Sequence, residues 1–136
     1  MKTKKVKTEK DDNGKSQAIA QVKSIVNMVN AYEDPEKSHE ERDAAIQTIQ
    51  EDALSVEVRS GWVQPGNNEM EAEEFQILLC AGGPAVRLCG DLDEYKQPKN
   101  VRVEYQDWGT PWTEYPASSL DLEKVLTYAQ QFYFGE

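Results

Sequence analysis

The spacing of apolar residues predicts two helices in the first part of the chain. Ser16 is a suitable N-cap residue, and a helix from there would end near Ala31. A second helix follows, and its start has two alternatives: Asp34 as the cap before Pro35, or a capping box that begins at Ser38. The apolar positions at helical spacing are Ile19, Val22, Ile25, Val26 and Val29 in the first helix, and Ala44, Ala45, Ile46 and Ile49 in the second.

The apolar period then falls from about 3.6 residues to two, which predicts strands. Residues 54–62 (LSVEVRSGW) alternate as a half-buried strand does, and residues 64–74 are polar and predict a loop. Residues 75–81 and 85–90 flank Gly82-Gly83-Pro84 and predict a hairpin. Because the first of these strands is almost entirely apolar, we expect it to lie in the middle of the sheet.

A fourth strand and a last helix complete the predicted fold. Residues 101–105 alternate as a strand, and a helix capped by Ser118 or Ser119 follows residues 104–115. The apolar positions of the last helix are Leu122, Val125, Leu126, Ala129 and Phe132. The order of elements predicts the α+β class: two N-terminal helices, a four-stranded antiparallel sheet, and a C-terminal helix packed on one sheet face.

Charge is unevenly distributed along the chain. Residues 1–15 hold six lysines against three acids and carry +3, so the remaining residues carry −13 of the total net charge of −10. We therefore predict a disordered basic arm at residues 1–15 and a single domain at residues 16–136. Phosphates and anionic lipids repel so acidic a domain, which predicts no direct binding of nucleic acid or membrane.

The two cysteines are expected to be free thiols. A three-residue hairpin loop would pair Cys80 with Val86 and Ile77 with Cys89, which separates the two sulfur atoms. The sequence has neither a secretory signal nor an apolar run that could span a bilayer, so we expect a cytoplasmic protein. No residue pattern indicates a cofactor or a metal ligand set.

Two sets of residues are candidate binding surfaces. The block EYQDWGTPWTEY at residues 104–115 suggests an aromatic surface, and the alternative is that its tryptophans close one end of the core. The outer side of the second helix suggests an acidic face. The candidate aromatic residues are Tyr105, Trp108, Trp112 and Tyr115, and the candidate acidic residues are Glu36, Glu40, Glu41 and Asp43.

Catalytic residues are not predicted. His39 has no nucleophile near it in any known motif, which favours a capping or exposed position. Arg59, Arg87 and Arg102 fall on predicted strands, where they would form either cross-strand ion pairs or an anion-binding patch. Because acidic residues alternate with them, ion pairs are the favoured interpretation.

Four segments of the chain resemble a family of small proteins from bacteriophages, prophages and other mobile elements. They are LSVEVRSGW (54–62), EFQILLCAGGPAVRLCGDLDEY (74–95), VRVEYQDWGTPWTEY (101–115) and AQQFYFGE (129–136). The resemblance covers roughly residues 50–136. It implies a genomic context, and it implies no activity and no role for any residue.

The function that these observations favour is non-enzymatic binding of a host protein. In its sharper form, the chain would inhibit a nucleic-acid-handling defence complex, of the CRISPR or restriction type, by presenting carboxylates where phosphates bind. The second helix and the acids of residues 69–74 are the expected face. The alternatives are a small-molecule binder or enzyme with a pocket at residues 104–115, using Arg87 or Arg102, and a homo-oligomeric structural module.

Overall fold

Three helices and a five-stranded antiparallel sheet form the fold, and a computed structural model describes residues 13–67 and 69–135 of it. The helices are α1 (Gly14–Glu33), α2 (His39–Asp52) and α3 (Ser119–Ala129). The strands are β1 (Ser55–Ser60), β2 (Ala72–Cys80), β3 (Ala85–Asp91), β4 (Arg102–Gln106) and β5 (Thr113–Tyr115). The predicted α+β class is confirmed, but the sheet has five strands rather than four.

The sheet is a meander in which each strand pairs antiparallel with the next, in the order β1-β2-β3-β4-β5. The strand that the prediction missed, β5, is three residues long and lies inside the aromatic block. It pairs with β4, and Tyr105 faces Thr113 across the ladder.

Helix α1 begins earlier than its predicted cap. Asn13 is the N-cap, and its side chain accepts a hydrogen bond of 2.9 Å from the backbone N–H of Ser16, which lies within the first turn. The N–H of Gly14 donates to the Asp107 side chain just beyond β4. Of the predicted basic arm, residues 1–12 lie outside the described residues, whereas 13–15 belong to the cap and first turn of α1.

The other two helices begin at predicted caps. Ser38 caps α2 in a complete capping box with Glu41, so of the two alternatives the one that begins at Ser38 is confirmed. Ser118 caps α3 by accepting a hydrogen bond of 3.1 Å from the N–H of Asp121.

The buried stripe of α1 contains Ala18 in place of Ile19, and the predicted Val26 is only partly buried. Its fully buried apolar residues are Ala18, Val22, Ile25 and Val29, whereas the side chain of Ile19 is 46% exposed. On α2 only Ile49 is buried, and on α3 the buried residues are Val125, Tyr128 and Ala129.

Helix α1 is the centre of the helical layer. It contacts β3 and β4 on one side, and it packs against both α2 and α3. The C-terminal helix was predicted to lie on the sheet itself, but its main packing partner is α1. The chain after α3 then returns to the sheet, where the Phe134 ring lies 5.2 Å from the Phe75 ring.

A β-bulge in β2 shifts the register of the hairpin. Cys80 pairs with Val86 as predicted, but Ile77 pairs with Leu88 and not with Cys89, because the ladder slips between Leu78 and Cys80. Both thiols are free, as predicted.

Strand β1 is less buried than its alternating pattern predicts. Val56 and Val58 pair with Ile77 and Phe75, so they share the face that the helices cover. They nevertheless stay 37% and 45% exposed. The reason is that α1 covers β3 and β4, whereas β1 lies at the edge of the sheet.

None of the three described helices combines the length and the apolar character that a bilayer-spanning segment needs.

We expect Gly90→Ala to destabilise the fold by about 3 kcal/mol, because a β-carbon there has no room. It would overlap the carbonyl oxygen of Asn100 and come within 2.8 Å of the Phe75 ring. Gly66→Ala is the control: its φ is +88° and a β-carbon there meets nothing within 4 Å, so it should cost only about 1 kcal/mol. Urea unfolding measures both, and equal losses would contradict the steric account of Gly90.

Candidate functional site

A partly buried ion-pair network lies on the sheet face that the helices leave uncovered. Val86 and Leu88 of β3 point into the core, so Arg87 and Cys89, which alternate with them, point to the opposite face. Glu104 pairs with Arg87 across the ladder. Its Oε1 accepts from Arg87 Nε at 2.8 Å and lies 2.7 Å from Arg87 Nη2, while its Oε2 accepts from Arg102 Nε at 2.9 Å.

The Glu104 carboxylate is ionised despite its burial. Its side chain is only 13% exposed, and burial by itself would raise its pKa. The hydrogen bonds from Arg102 and Arg87 together outweigh burial, so the pKa of Glu104 lies below the ordinary value of 4.5. The same hydrogen bond raises the pKa of Arg102. Both partners therefore stay charged at neutral pH.

Trp112 covers this network from above. The guanidinium carbon of Arg87 lies 4.1 Å from the centroid of the Trp112 ring, which is a cation–π contact. The ring restricts the access of water to Arg87, whose side chain is only 22% exposed. Trp112 therefore belongs to the uncovered sheet face rather than to the core.

Hydrogen bonds extend the network toward β1. Arg87 Nη1 donates to Gln76 Oε1 at 2.8 Å, and Gln76 Nε2 donates to Glu57 Oε1 at 2.9 Å. Beside them Arg59 Nη2 lies 2.7 Å from Glu74 Oε1. The predicted interpretation as cross-strand ion pairs is thus confirmed for Arg59 and Arg87, whereas Arg102 pairs with Glu104 of its own strand. Gln76 was missed because an amide gives no charge signal in the sequence.

A shallow depression of about 260 Å³ lies on the same face, between β1, β2 and β3. Its lining includes Arg59, Glu74, Arg87 and Arg102, and it does not include Trp108 or Trp112. Cys89 also lines it, and burial raises the pKa of this thiol to about 11. Since the thiolate is the nucleophilic form, a thiol that is protonated at neutral pH is not an activated nucleophile.

The four predicted aromatic residues do not share one surface. Tyr105 and Tyr115 pack against the core on the helical side of the sheet. Trp112 lies on the other side over Arg87, and Trp108 is 82% exposed beyond β4, beside the hairpin turn at Gly83. The alternative that both tryptophans close the end of the core is wrong, because neither ring lies in it.

All four residues of the predicted acidic face are exposed, but two of the carboxylates have local partners. Glu41 Oε1 accepts from the Ser38 N–H at 2.9 Å, and hydrogen bonds from the Ser38 backbone and side chain lower the pKa of Glu41. Asp43 lies 3.8 Å from the exposed imidazole of His39. Glu36 precedes the helix, and Glu40 lies in its first turn.

A larger concentration of acids lies at one end of the sheet. Because Glu74 pairs with Asp91, the acids of residues 69–74 meet those of residues 91–94. Together they line a depression of about 510 Å³, which we call the sheet-end acidic surface. Its carboxylates belong to Glu69, Glu71, Glu73, Glu74, Asp91, Asp93 and Glu94.

Two lysines face these seven carboxylates. They are Lys96 and Lys99, and Lys96 Nζ is held by Glu71 Oε1 at 3.1 Å and by the carbonyl oxygen of Ala72 at 3.0 Å. The sequence indicated only the first group of acids, because the second joins it through strand register. Across the described ranges, no cluster of three or more His, Cys, Asp or Glu side chains is arranged to hold a metal ion.

Comparisons of this chain with protein-family models, with curated proteins and with solved structures found no match.

We expect Glu104→Gln to cost about 2 kcal/mol at neutral pH, because two charged hydrogen bonds lose their carboxylate. The effect should depend on pH. Since the folded pKa of Glu104 lies below 4.5, its contribution is complete above that value and is lost as the pH falls through the folded pKa. The difference in unfolding free energy between the two proteins should therefore shrink as the pH falls below 4.5.

Glu114→Gln is the matched control for this experiment. Glu114 is exposed and lies opposite Glu104 on the same face, so removing its charge should be neutral or slightly stabilising. A constant difference between wild type and Glu104→Gln at every pH would contradict the assigned role of the carboxylate charge.

The two tryptophans should respond differently to truncation. Trp112→Ala removes the ring over Arg87 and should cost about 1 to 2 kcal/mol. Trp108→Ala removes an exposed ring and should change stability by less than about 0.5 kcal/mol. Thermal or urea unfolding decides this, and a larger loss for Trp108→Ala would mean that its ring is part of the packed structure.

Proposed function

We propose that this chain is a non-enzymatic, cytoplasmic protein of phage or mobile-element origin that binds a basic surface on a host protein. The target would be a nucleic-acid-handling defence complex, of the CRISPR or restriction type, whose phosphate-binding site the chain occupies. The sheet-end acidic surface is the observation that carries this proposal, because it concentrates seven carboxylates against two lysines and Arg59, which pairs with Glu74.

Charge is the physical basis of the proposed recognition. A surface of one sign attracts a partner of the opposite sign, accelerates association and disfavours partners of like charge. Carboxylates fixed at strand ends have a defined spacing, as phosphates along a nucleic acid do. They can therefore occupy a row of Lys and Arg side chains without the chain binding nucleic acid itself.

The uncovered sheet face is less suited to this role. Its arginines already hold acids: Arg59 holds Glu74, and Arg87 and Arg102 hold Glu104. A partner would have to compete with these internal pairs, two of which share a largely buried carboxylate. We assign this face a structural role, and we assign binding to the sheet-end acidic surface, with the exposed acids of α2 as a second contact.

Neutralising the sheet-end acidic surface should abolish the proposed activity. The test variant is Glu69→Gln/Glu71→Gln/Glu73→Gln, which removes three negative charges from exposed positions. The readout is survival of a phage or plasmid in cells with an active restriction or CRISPR system. The wild-type chain should protect the phage or plasmid. If each charge contributes several tenths of a kcal/mol to binding of the target, survival with the triple variant should be at least about tenfold lower.

The matched control removes the same number of charges from α2. It is Glu36→Gln/Glu40→Gln/Asp43→Asn, which spares Glu41 because that side chain completes the capping box. It should keep most of the protection. Loss in this variant alone would move the site to the α2 face, and absence of protection by wild type in both kinds of system would overturn the proposed target class.

A further inference from the structure

Within the part of the chain that the structure describes, strand β1 is a free edge of the sheet, and it is long enough to pair with another strand. The sheet has two edges, β1 and β5, and β5 is only three residues long. β1 has six residues and contains neither Pro nor Lys, which are common protections of an exposed edge. It is the edge at which a further strand would extend the sheet.

The backbone groups on the outer side of β1 belong to Val56, Val58 and Ser60. Leu92 donates its N–H to the carbonyl oxygen of Glu73, so the odd-numbered residues in this part of β2 point their backbone groups toward β3. The backbone N–H and C=O groups of Glu74, Gln76 and Leu78 therefore point toward β1. The hydrogen bond from the Leu54 N–H to the Leu78 carbonyl oxygen confirms this direction. Across the ladder they pair with Arg59, Glu57 and Ser55 of β1, whose backbone groups therefore point toward β2. The even-numbered residues of β1 therefore face outward.

The side chains of β1 make the edge apolar on one face. Val56 and Val58 lie on the helical side but beyond the helices, and Leu54 just before the strand is 62% exposed. Three neighbouring aliphatic side chains at one edge are thus available to pack against an added strand.

The charges of β1 are complementary to themselves in one register. In an antiparallel pair of two β1 strands that places Val58 opposite Val58, Glu57 of each copy faces Arg59 of the other. Shifting the centre to Glu57 sets two glutamates opposite each other, and shifting it to Arg59 sets two arginines opposite each other. Like charges in directly opposed positions are destabilising, so the charge pattern favours the register centred on Val58 over both of these neighbours, and it is the register in which Glu57 and Arg59 pair.

Both charged side chains keep free capacity for these cross-strand pairs. Within the described residues, Arg59 uses Nε and Nη2 on Glu74, which leaves Nη1, and Glu57 accepts only through Oε1, which leaves Oε2. We propose that a second copy of this chain pairs with it through β1, antiparallel and centred on Val58, to form a continuous ten-stranded sheet. This inference does not depend on the proposed function.

The dimer should be weak and concentration-dependent, because one strand pair buries less surface than a standard stable interface. Sedimentation equilibrium at about 0.15 M salt, where distant like charges are screened, should show the mass rise from 15.4 kDa toward twice that value between micromolar and millimolar concentration. A monomer throughout this range overturns the proposal.

Val58→Lys tests the position of the pairing. It should weaken association at least about tenfold, because two lysines would meet at the centre of the pair. Ile19→Lys is the matched control, since Ile19 on α1 is 46% exposed and Val58 is 45% exposed. It should leave the dimer unchanged. Equal association of wild type and folded Val58→Lys overturns the proposal.

A charge exchange between two variants tests the register without relying on Val58. Glu57→Arg alone places arginines opposite arginines, and Arg59→Glu alone places glutamates opposite glutamates, so each should dimerise at least about tenfold more weakly than wild type. An equimolar mixture should recover a heterodimer, because each arginine then faces a glutamate. Failure of the mixture to associate, with both proteins folded by circular dichroism, overturns the proposed register.

Discussion

The packing of α1 against the middle of the sheet is the constraint on which the rest of the structure depends. Val22, Ile25 and Val29 of this helix belong to the same core as Leu88 and Val103 of the sheet. The helix also holds α2 and α3 in place, because both pack against it. One helix with its side chains is only about 10 Å wide. Helix α1 therefore covers the central strands on one face, and the edge strand β1 and the opposite face must be stabilised by other interactions.

The opposite face of the sheet shows what those other interactions are. Without a second helical layer, its side chains must be compatible with water and must still hold the strands together. Arg87 and Glu104 do this with a charged hydrogen bond between β3 and β4, Arg102 holds the same carboxylate from within β4, and Trp112 shields Arg87. Because removal of one member leaves the others as half-buried charges, the network is costly to disrupt even if its net contribution is modest. It fixes the register of β3 against β4.

The sequence predicted the parts of the fold that depend on local patterns. Helical spacing and capping residues located α2 and α3, alternation located β1 and β4, and the turn at Gly82-Gly83-Pro84 located the hairpin of β2 and β3. What it missed depends on non-local geometry. The bulge at Leu79 has no signature inside an apolar run, and β5 is too short to show a period. Alternation assigned Val58 to the correct face, but the extent of the helical layer decides its exposure. The acids of residues 69–74 lie beside those of residues 91–94 only because of the β2–β3 register, which the sequence alone does not give.

The two charged surfaces of the sheet differ in how far their charges are paired within the protein. On the uncovered face, arginines and acids neutralise each other through short contacts, so little of that charge is available to a partner. At the end of the sheet, two of the seven carboxylates are ion-paired, Glu71 with Lys96 and Glu74 with Arg59, and those of Asp91 and Asp93 accept hydrogen bonds from amide groups. Among the described residues, the carboxylates of Glu69, Glu73 and Glu94 have no such partner. Folding by itself gives no reason to gather like charges, because their repulsion opposes it. Such a cluster therefore does not stabilise the sheet that it terminates, and it is the feature on which the proposed recognition of a basic surface rests.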